Sequence, residues 1–289
     1  MAKKPTYDRG AEDVGNIVSL EHVNLLVPDQ GLATLFYISG LGLTRDPYLM
    51  TGTDIMWVNA GRNQFHLPTR GTQVLRGHTA LVINDFEQLP GRLENVRKEL
   101  KGTKFAFKRE RGRIDATCPW GNQYRCYPAG KRFGKMSHGI PYVCFDVPEG
   151  AADPIKRFYA EIFDAPARTG TFDGAPAAFV CVGPDQELIF REKAGRQATF
   201  DGHHIQVYLG DFSGPHRRLL ERGLITEESD QHQYRFEMIV DPDNGKPVFQ
   251  IEHEVRSLHH PLYARPLVNR NPGQRNMTYL AGADTLRVG

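Results

Sequence analysis

The chain has 289 residues, 40% of them hydrophobic, enough to bury one large core or two ordinary ones. Lys and Arg number 36 against 34 Asp and Glu, a net charge of +2, and no basic block interleaved with aromatic residues stands out, so nucleic acid is not an expected partner. No apolar stretch nears the roughly 18 residues that span a bilayer, and the opening MAKKPTYDRGAEDVGN lacks the apolar stretch of a secretory signal. No membrane partner and a cytoplasmic location are therefore expected. Cys118, Cys126, Cys144 and Cys181 show no CxxC spacing, which predicts buried reduced thiols rather than a zinc knuckle or a disulfide framework.

Along the chain, four strand-like segments open on a histidine: EHVNLLVPD from Glu21, GHTALVIND from Gly77, SHGIPYVCFD from Ser137 and GHHIQVYLGD from Gly202. A helix-compatible stretch follows each one, QGLATLFYISGLG, FEQLPGRLENVRKEL, PIKRFYAEIFD and PHRRLLERGL in turn. Short apolar runs punctuated by Gly, Asp, Asn or Pro come next, such as DIMWVNAG and NQFHLP in the first unit or AAFVCVGP and ELIFREK in the third. The repeating unit is strand, helix, strand, strand, strand, an α+β pattern. Units one and three share LFY at 35–37 and RFY at 157–159, which predicts pairing of one with two and of three with four across the basic, Gly-containing segment PAGKRFGKMS. The predicted layout is an N-terminal arm (1–17), a first domain (18–130), a second domain (131–256) and an extended tail (257–289) that wraps the body or reaches a partner subunit.

Four tandem βαβββ units, each led by a strand that runs from a histidine to an aspartate, with an FY pair in the odd-numbered helices, resemble the vicinal oxygen chelate superfamily. That superfamily includes glyoxalase I, fosfomycin- and bleomycin-resistance proteins and type I extradiol dioxygenases. The resemblance covers about residues 18–256 and implies two similar cupped, incomplete β-barrel domains with metal ligands projecting inward. The two-domain layout is most similar to the extradiol dioxygenases, whose active iron sits in the second domain. It implies metal ligands at His138, at one histidine of the 203/204 pair and at Glu252 in FQIEHE. Two imidazoles and a carboxylate suit Fe(II) holding a bidentate substrate and O2, with Mn(II) and Zn(II) as alternatives. The implied reaction is ring cleavage in aromatic compound catabolism by a dioxygenase, expected as a homo-oligomer.

Spacing bears on the doublet. His22 to Asp29 and His78 to Asp85 both span seven residues, and the same distance back from Asp211 selects His204 as the inward residue. His203 then faces the other side. From His138 to Asp146 the distance is eight, so the spacing is not uniform. Glu252 and Glu254 share a strand face, and the FxIE arrangement favours Glu252, with Glu254 left as an alternative.

In the run HQYRFEMIVDPDNGKPVFQIE the resemblance implies acid-base roles for His232 and Tyr234, although Met238 stands where the family pattern has a tyrosine. His22, His66 and His78 offer a second, first-domain ligand set. There Arg125, in PWGNQYRCY, stands where a ligand glutamate is expected, and a guanidinium suits a carboxylate rather than a metal. His259 and His260 read as solvated tail residues, and Gly121, Asn122 and Gln123 as turn chemistry. Two other readings stand beside the dioxygenase: a non-oxidative glyoxalase-like isomerase, lyase or transferase, and a metal-free protein that sequesters a ligand in its cups.

Overall fold

A computed structural model describes residues 7–49 and 52–288. The four units are all present. Unit one contributes β1 (Ile17–Asn24), β2 (Thr44–Arg45), β3 (Ile55–Ala60) and β4 (Asn63–Pro68), and unit two β5 (Gly77–Ile83), β6 (Ala106–Glu110), β7 (Arg113–Thr117) and β8 (Gln123–Pro128). Unit three contributes β9 (Tyr142–Val147), β10 (Ala167–Phe172), β11 (Ala175–Cys181) and β12 (Glu187–Glu192), and unit four β13 (His204–Leu209), β14 (Ile225–Asp230), β15 (Gln233–Val240) and β16 (Pro247–Ser257). After each leading strand comes its helix: α1 (Gln30–Ala33), continued by a π-helical turn over Thr34–Gly40, then α2 (Leu89–Asn95), α3 (Ala152–Phe163) and α4 (Ser213–Leu220). Asp29 caps α1 by accepting from the Leu32 amide at 2.8 Å, and Asp211 accepts from the Gly214 amide at 3.0 Å. No helix among the described residues is long and apolar enough to cross a membrane.

The pairing of the units departs from the expected chain order. One eight-stranded sheet runs β14-β15-β16-β13-β1-β4-β3-β2, so unit four joins unit one. The other runs β10-β11-β12-β9-β5-β8-β7-β6, so unit three joins unit two. The expected boundary at 130/131 therefore falls inside one sheet, between β8 and β9. Similarity of the LFY and RFY segments reports only that the units share a fold; it carries no information on which unit closes against which. In each sheet the two leading strands meet antiparallel, β1 with β13 and β5 with β9, and each lies parallel to the last strand of its own unit.

Helices lie between the sheets. Phe36 and Tyr37 pack on Phe65 of β4 and Tyr124 of β8, while Phe158 and Phe163 of α3 pack on Phe236 of β15. Two polar contacts pin this apolar layer: Tyr37 and Tyr124 share a hydroxyl–hydroxyl bond of 2.5 Å, and Tyr159 lies 2.5 Å from His253 Nε2. Strand alternation turns the neighbours of His253, Glu252 and Glu254, to the opposite face, which is the cup.

The tail folds back along the first sheet. Arg265 pairs with the fully buried Asp46 at 2.7 Å, and Asn269 bonds both the amide and the carbonyl of Gly61, at 2.9 and 2.8 Å. Gly61 has φ +68°, and a Cβ there would lie 1.9 Å from the His138 carbonyl oxygen, so only glycine fits this approach.

Tyr37→Phe leaves the buried Tyr124 hydroxyl without its partner and should lower the unfolding free energy by about 1–2 kcal/mol. The Tyr37→Phe/Tyr124→Phe double variant should cost less than the sum of the singles in urea titrations; strictly additive losses would show that the two hydroxyls do not interact.

Candidate metal centre

Four adjacent strands of the first sheet bring side chains to one face. His22 comes from β1, His66 from β4, His204 from β13 and Glu254 from β16. Register explains the convergence: Asn24 pairs with His66 and with His204, His22 with Gln206, and Gln206 with Glu254, all on one pleat face. The ladder of β1 on β13 shifts between Leu20 and His22, and this bulge carries Glu21 to the same face. One nitrogen of His22, one nitrogen of His204 and one oxygen of Glu254 lie within 4.8 Å of one another.

Nε2 of His22 and Nε2 of His204 are buried and have no hydrogen-bond partner among the described residues. His204 Nε2 lies 3.5 Å from Glu254 Oε2 without hydrogen-bonding geometry. An imidazole nitrogen held dry without a partner is costly, and two of them facing one carboxylate is the pattern a divalent cation relieves. Burial drives the His22 imidazole well below its usual range and that of His66 down to about 2, which leaves both neutral, as metal ligation requires. Burial would raise the Glu254 carboxyl, but the approach of His204 and the charge of Arg256 outweigh it and keep Glu254 ionised.

A charged shell holds Glu254 in place. Arg235 Nη2 lies 2.5 Å from Glu254 Oε2, and Arg256 Nη2 lies 2.6 Å from Oε1. A carboxylate offers about four lone-pair sites; Arg235 occupies one on Oε2 by a hydrogen bond, Arg256 meets Oε1 as an ion pair without hydrogen-bonding geometry, and the others stay open. Arg256 also pairs with Glu21 at 3.2 Å, and Glu21 accepts from the Tyr208 hydroxyl at 3.2 Å and approaches His22 Nδ1 at 3.3 Å. Burial raises the Glu21 carboxyl to about 7, with Arg256 opposing it. His66 stacks on Trp57 with ring centroids 4.0 Å apart and meets His22 edge-on at 6.0 Å, forming the aromatic wall of the cup. Tyr263 of the tail packs on Tyr208 at 4.9 Å.

The sequence-predicted residues are distributed differently. His204 lies in the cup, while His203 turns away, bonding Asp201 at 2.6 Å and stacking over Phe145. Glu252 shares the face of Glu254 but is held by Arg235 at 2.5 Å and approaches His204 Nδ1 only to 3.7 Å. His138 does not join them: it precedes β9, with its Nδ1 3.1 Å from the Val82 carbonyl oxygen. The eight-residue spacing in unit three has its explanation here, because Asp146 is a strand residue paired to Arg191 and Lys193 rather than the acid of a turn. Tyr234 faces away from the cup, its ring against Phe212 and His216, and His232 sits in the β14–β15 turn. The set His22, His66 and His78 is divided, since His78 belongs to the other sheet. What sequence reasoning missed is Arg235, Arg256, Glu21 and the pairing of His22 with His204; parity along β16, where residues 252, 254 and 256 share a face, was the available signal.

No family model matches the sequence, and no curated protein matches it significantly. Among solved structures, glyoxalase I from Zea mays superposes with a TM-score of 0.58 at 14% identity over 82% of this chain and 92% of that one. A candidate dioxygenase from Bacillus subtilis gives 0.53 at 12% identity, over 84% and 85%. The two open eight-stranded sheets built from βαβββ units are the vicinal oxygen chelate fold. Within that fold, the structural likeness extends to both a glyoxalase and a candidate dioxygenase, and it concerns architecture alone.

Burial pushes the His138 imidazole down to about 4 from an ordinary 6.5, against the Val82 hydrogen bond. The unfolded chain therefore takes up a proton below pH 6.5 that folded His138 refuses until about pH 4. Stability should fall as pH drops through that window, by up to about 1.4 kcal/mol per pH unit for each such group. His138→Gln, which keeps a donor for the Val82 carbonyl, should flatten this slope in urea unfolding; an unchanged slope would refute the assignment.

Proposed function

We propose that this chain is a divalent-metal-dependent enzyme acting on a small substrate that chelates through two adjacent oxygens. The observation that carries the reading is the pair of buried, unpartnered Nε2 atoms of His22 and His204 beside the Glu254 carboxylate. These three residues would hold the metal, with His204 retained from the sequence expectation, His22 in place of His138 and Glu254 in place of Glu252. A cation bound there supplies Lewis-acid charge to a chelating substrate. Arg235 and Arg256 fix the Glu254 rotamer, Glu21 and Tyr208 line the adjacent wall with exchangeable protons, and the Trp57–His66 stack offers a flat surface to a planar substrate.

Two imidazoles and one carboxylate suit Fe(II) and leave room for a bidentate substrate beside O2, which favours an extradiol-type dioxygenase in aromatic compound catabolism. His232 and Tyr234 take no part in this version of the reading. A second reading, a glyoxalase-like isomerase, lyase or transferase with Zn(II) or Mn(II), is favoured by His66. Its ring lies 6.0 Å from that of His22, and as a fourth protein donor it would leave fewer open positions for oxygen.

Protein isolated without oxygen should contain one equivalent of metal, lost in His22→Ala, His204→Ala and Glu254→Gln but retained in His138→Ala and His203→Ala. In a Trp120→Phe background, restoring Fe(II) or Zn(II) to the stripped protein should change Trp57 emission, and His204→Ala should abolish that change. Oxygen uptake with a catechol panel supports the dioxygenase, whereas turnover of a hemithioacetal without oxygen uptake supports the second reading. Absence of metal binding in the wild type defeats both and leaves a ligand-sequestering protein.

A further inference from the structure

The second sheet repeats the pleat geometry of the first with a different set of side chains. Matching register fixes the equivalences. His78 of β5 opposes Cys144 as His22 opposes Gln206, which places His78 at the His22 position. Two residues on, Ala80 pairs with Arg125 as Asn24 pairs with His66. Tyr142 then stands at the place of His204, Ile189 at that of Glu254, and Arg191 at that of Arg256. Of the donor set only one imidazole survives, so these positions cannot hold a metal in the way proposed for the first cup.

What replaces it is positive charge. Arg125, Arg191, Lys193 and Arg196 line a cleft of about 540 Å³ together with His78 and Asp146. Among the described residues only Asp146 and Asp173 pair with them: Arg125 meets Asp173 at 2.7 Å, Arg191 meets Asp173 at 2.9 Å and also Asp146, and Lys193 meets Asp146 at 2.9 Å. Arg76 also belongs to the lining, but its guanidinium lies over Phe249 and donates to the Gln250 carbonyl oxygen; the other four cations against two carboxylates leave an excess of two. Asp115 also borders the cleft but is neutralised by Arg113 at 2.7 Å.

An independent feature points to a ligand. His78 is 5% exposed, and its Nε2 is buried in the cleft wall with no hydrogen-bond partner among the described residues. Burial drives its imidazole down to about 3, with the neighbouring Arg125 and Arg191 charges acting in the same direction, so at neutral pH it offers a neutral ring. In the tautomer protonated at Nε2 it is a donor without an acceptor, beside two uncompensated positive charges.

We infer that the second cup is a binding site for a small organic dianion, recognised by Arg125 and Arg196 with His78 Nε2 as a neutral donor. A doubly charged head group would neutralise the excess, and the planar guanidinium suits the paired oxygens of a carboxylate or phosphate. Leu75 and Ala198 are apolar members of the same lining, available to the body of the ligand. The site is separate from the proposed metal centre and does not depend on it.

The test is calorimetric titration of the full-length protein with inorganic phosphate and with malonate as dianion probes, and with acetate as a monoanion control. Either dianion should bind with a Kd below about 1 mM, and acetate at least tenfold more weakly. Arg125→Gln and Arg196→Gln should each weaken dianion binding roughly tenfold, the range of one charge-assisted hydrogen bond. Arg196 is exposed and forms no ion pair among the described residues, so its variant is expected to fold even if removal of Arg125 disturbs the sheet. His22→Ala should leave the Kd unchanged. Failure of both dianions to bind the wild type overturns the inference, as does an affinity indifferent to Arg125→Gln and Arg196→Gln or one abolished by His22→Ala.

Discussion

The antiparallel ladder between β1 and β13 is the constraint from which the other features descend. It joins Ile17–Asn24 to His204–Leu209, a separation of most of the chain, and so makes one continuous sheet out of the first and last units. The middle units are left to pair with each other. Each leading strand also runs parallel to the final strand of its own unit, so the ladder places four inward faces side by side: β4, β1, β13 and β16 in one sheet, β8, β5, β9 and β12 in the other. The bulge at Glu21 adds an acid to the first of these rows. Between the sheets the helices supply the apolar layer that both need on their other face, and the alternation of β16 separates the two roles residue by residue, His253 toward Tyr159 and Glu252, Glu254 and Arg256 toward the cup.

Much of this is legible in the amino-acid sequence alone. Period-two strands with histidine starts, helix stretches at matching offsets and turn residues between apolar runs are local signals, and the observed elements follow them closely, Gln30–Gly40 and Ala152–Phe163 among the helices. Unit pairing is a different kind of quantity. It depends on which edge of β1 meets which partner across nearly two hundred residues, and no periodicity within one unit encodes that choice. The expected boundary at 130/131 failed for this reason.

The same division runs through the site. A seven-residue distance to a helix-capping aspartate selected His204 over His203, because Asp29 and Asp211 perform the same local task at the ends of equivalent strands. Where that task is absent, at Asp146, the spacing carried no meaning, and His138, implied as a ligand by the resemblance alone, lies beside the Val82 carbonyl rather than in the cup. Glu252 and Glu254 share a face, so strand parity alone left them tied; what separates them is the long-range arrangement of Arg235, Arg256 and His204, visible only in three dimensions. Arg125 was recognisable from its residue type as a poor ligand, and the register puts it where the sister sheet carries His66.

The split origin of the cup bears on how the protein comes into being. His22 and His66 emerge from the ribosome early, whereas His204 and Glu254 come more than 130 residues later, and the two groups meet only when β13 slots against β1. Until then β1 presents an unpaired edge and a lone pair of imidazoles, while the units between can already close on one another as β5 and β9 do. An occupied cup would thus mark chains that have been finished and folded to the end, and one truncated before Glu254 could acquire much of its second sheet without ever completing the first.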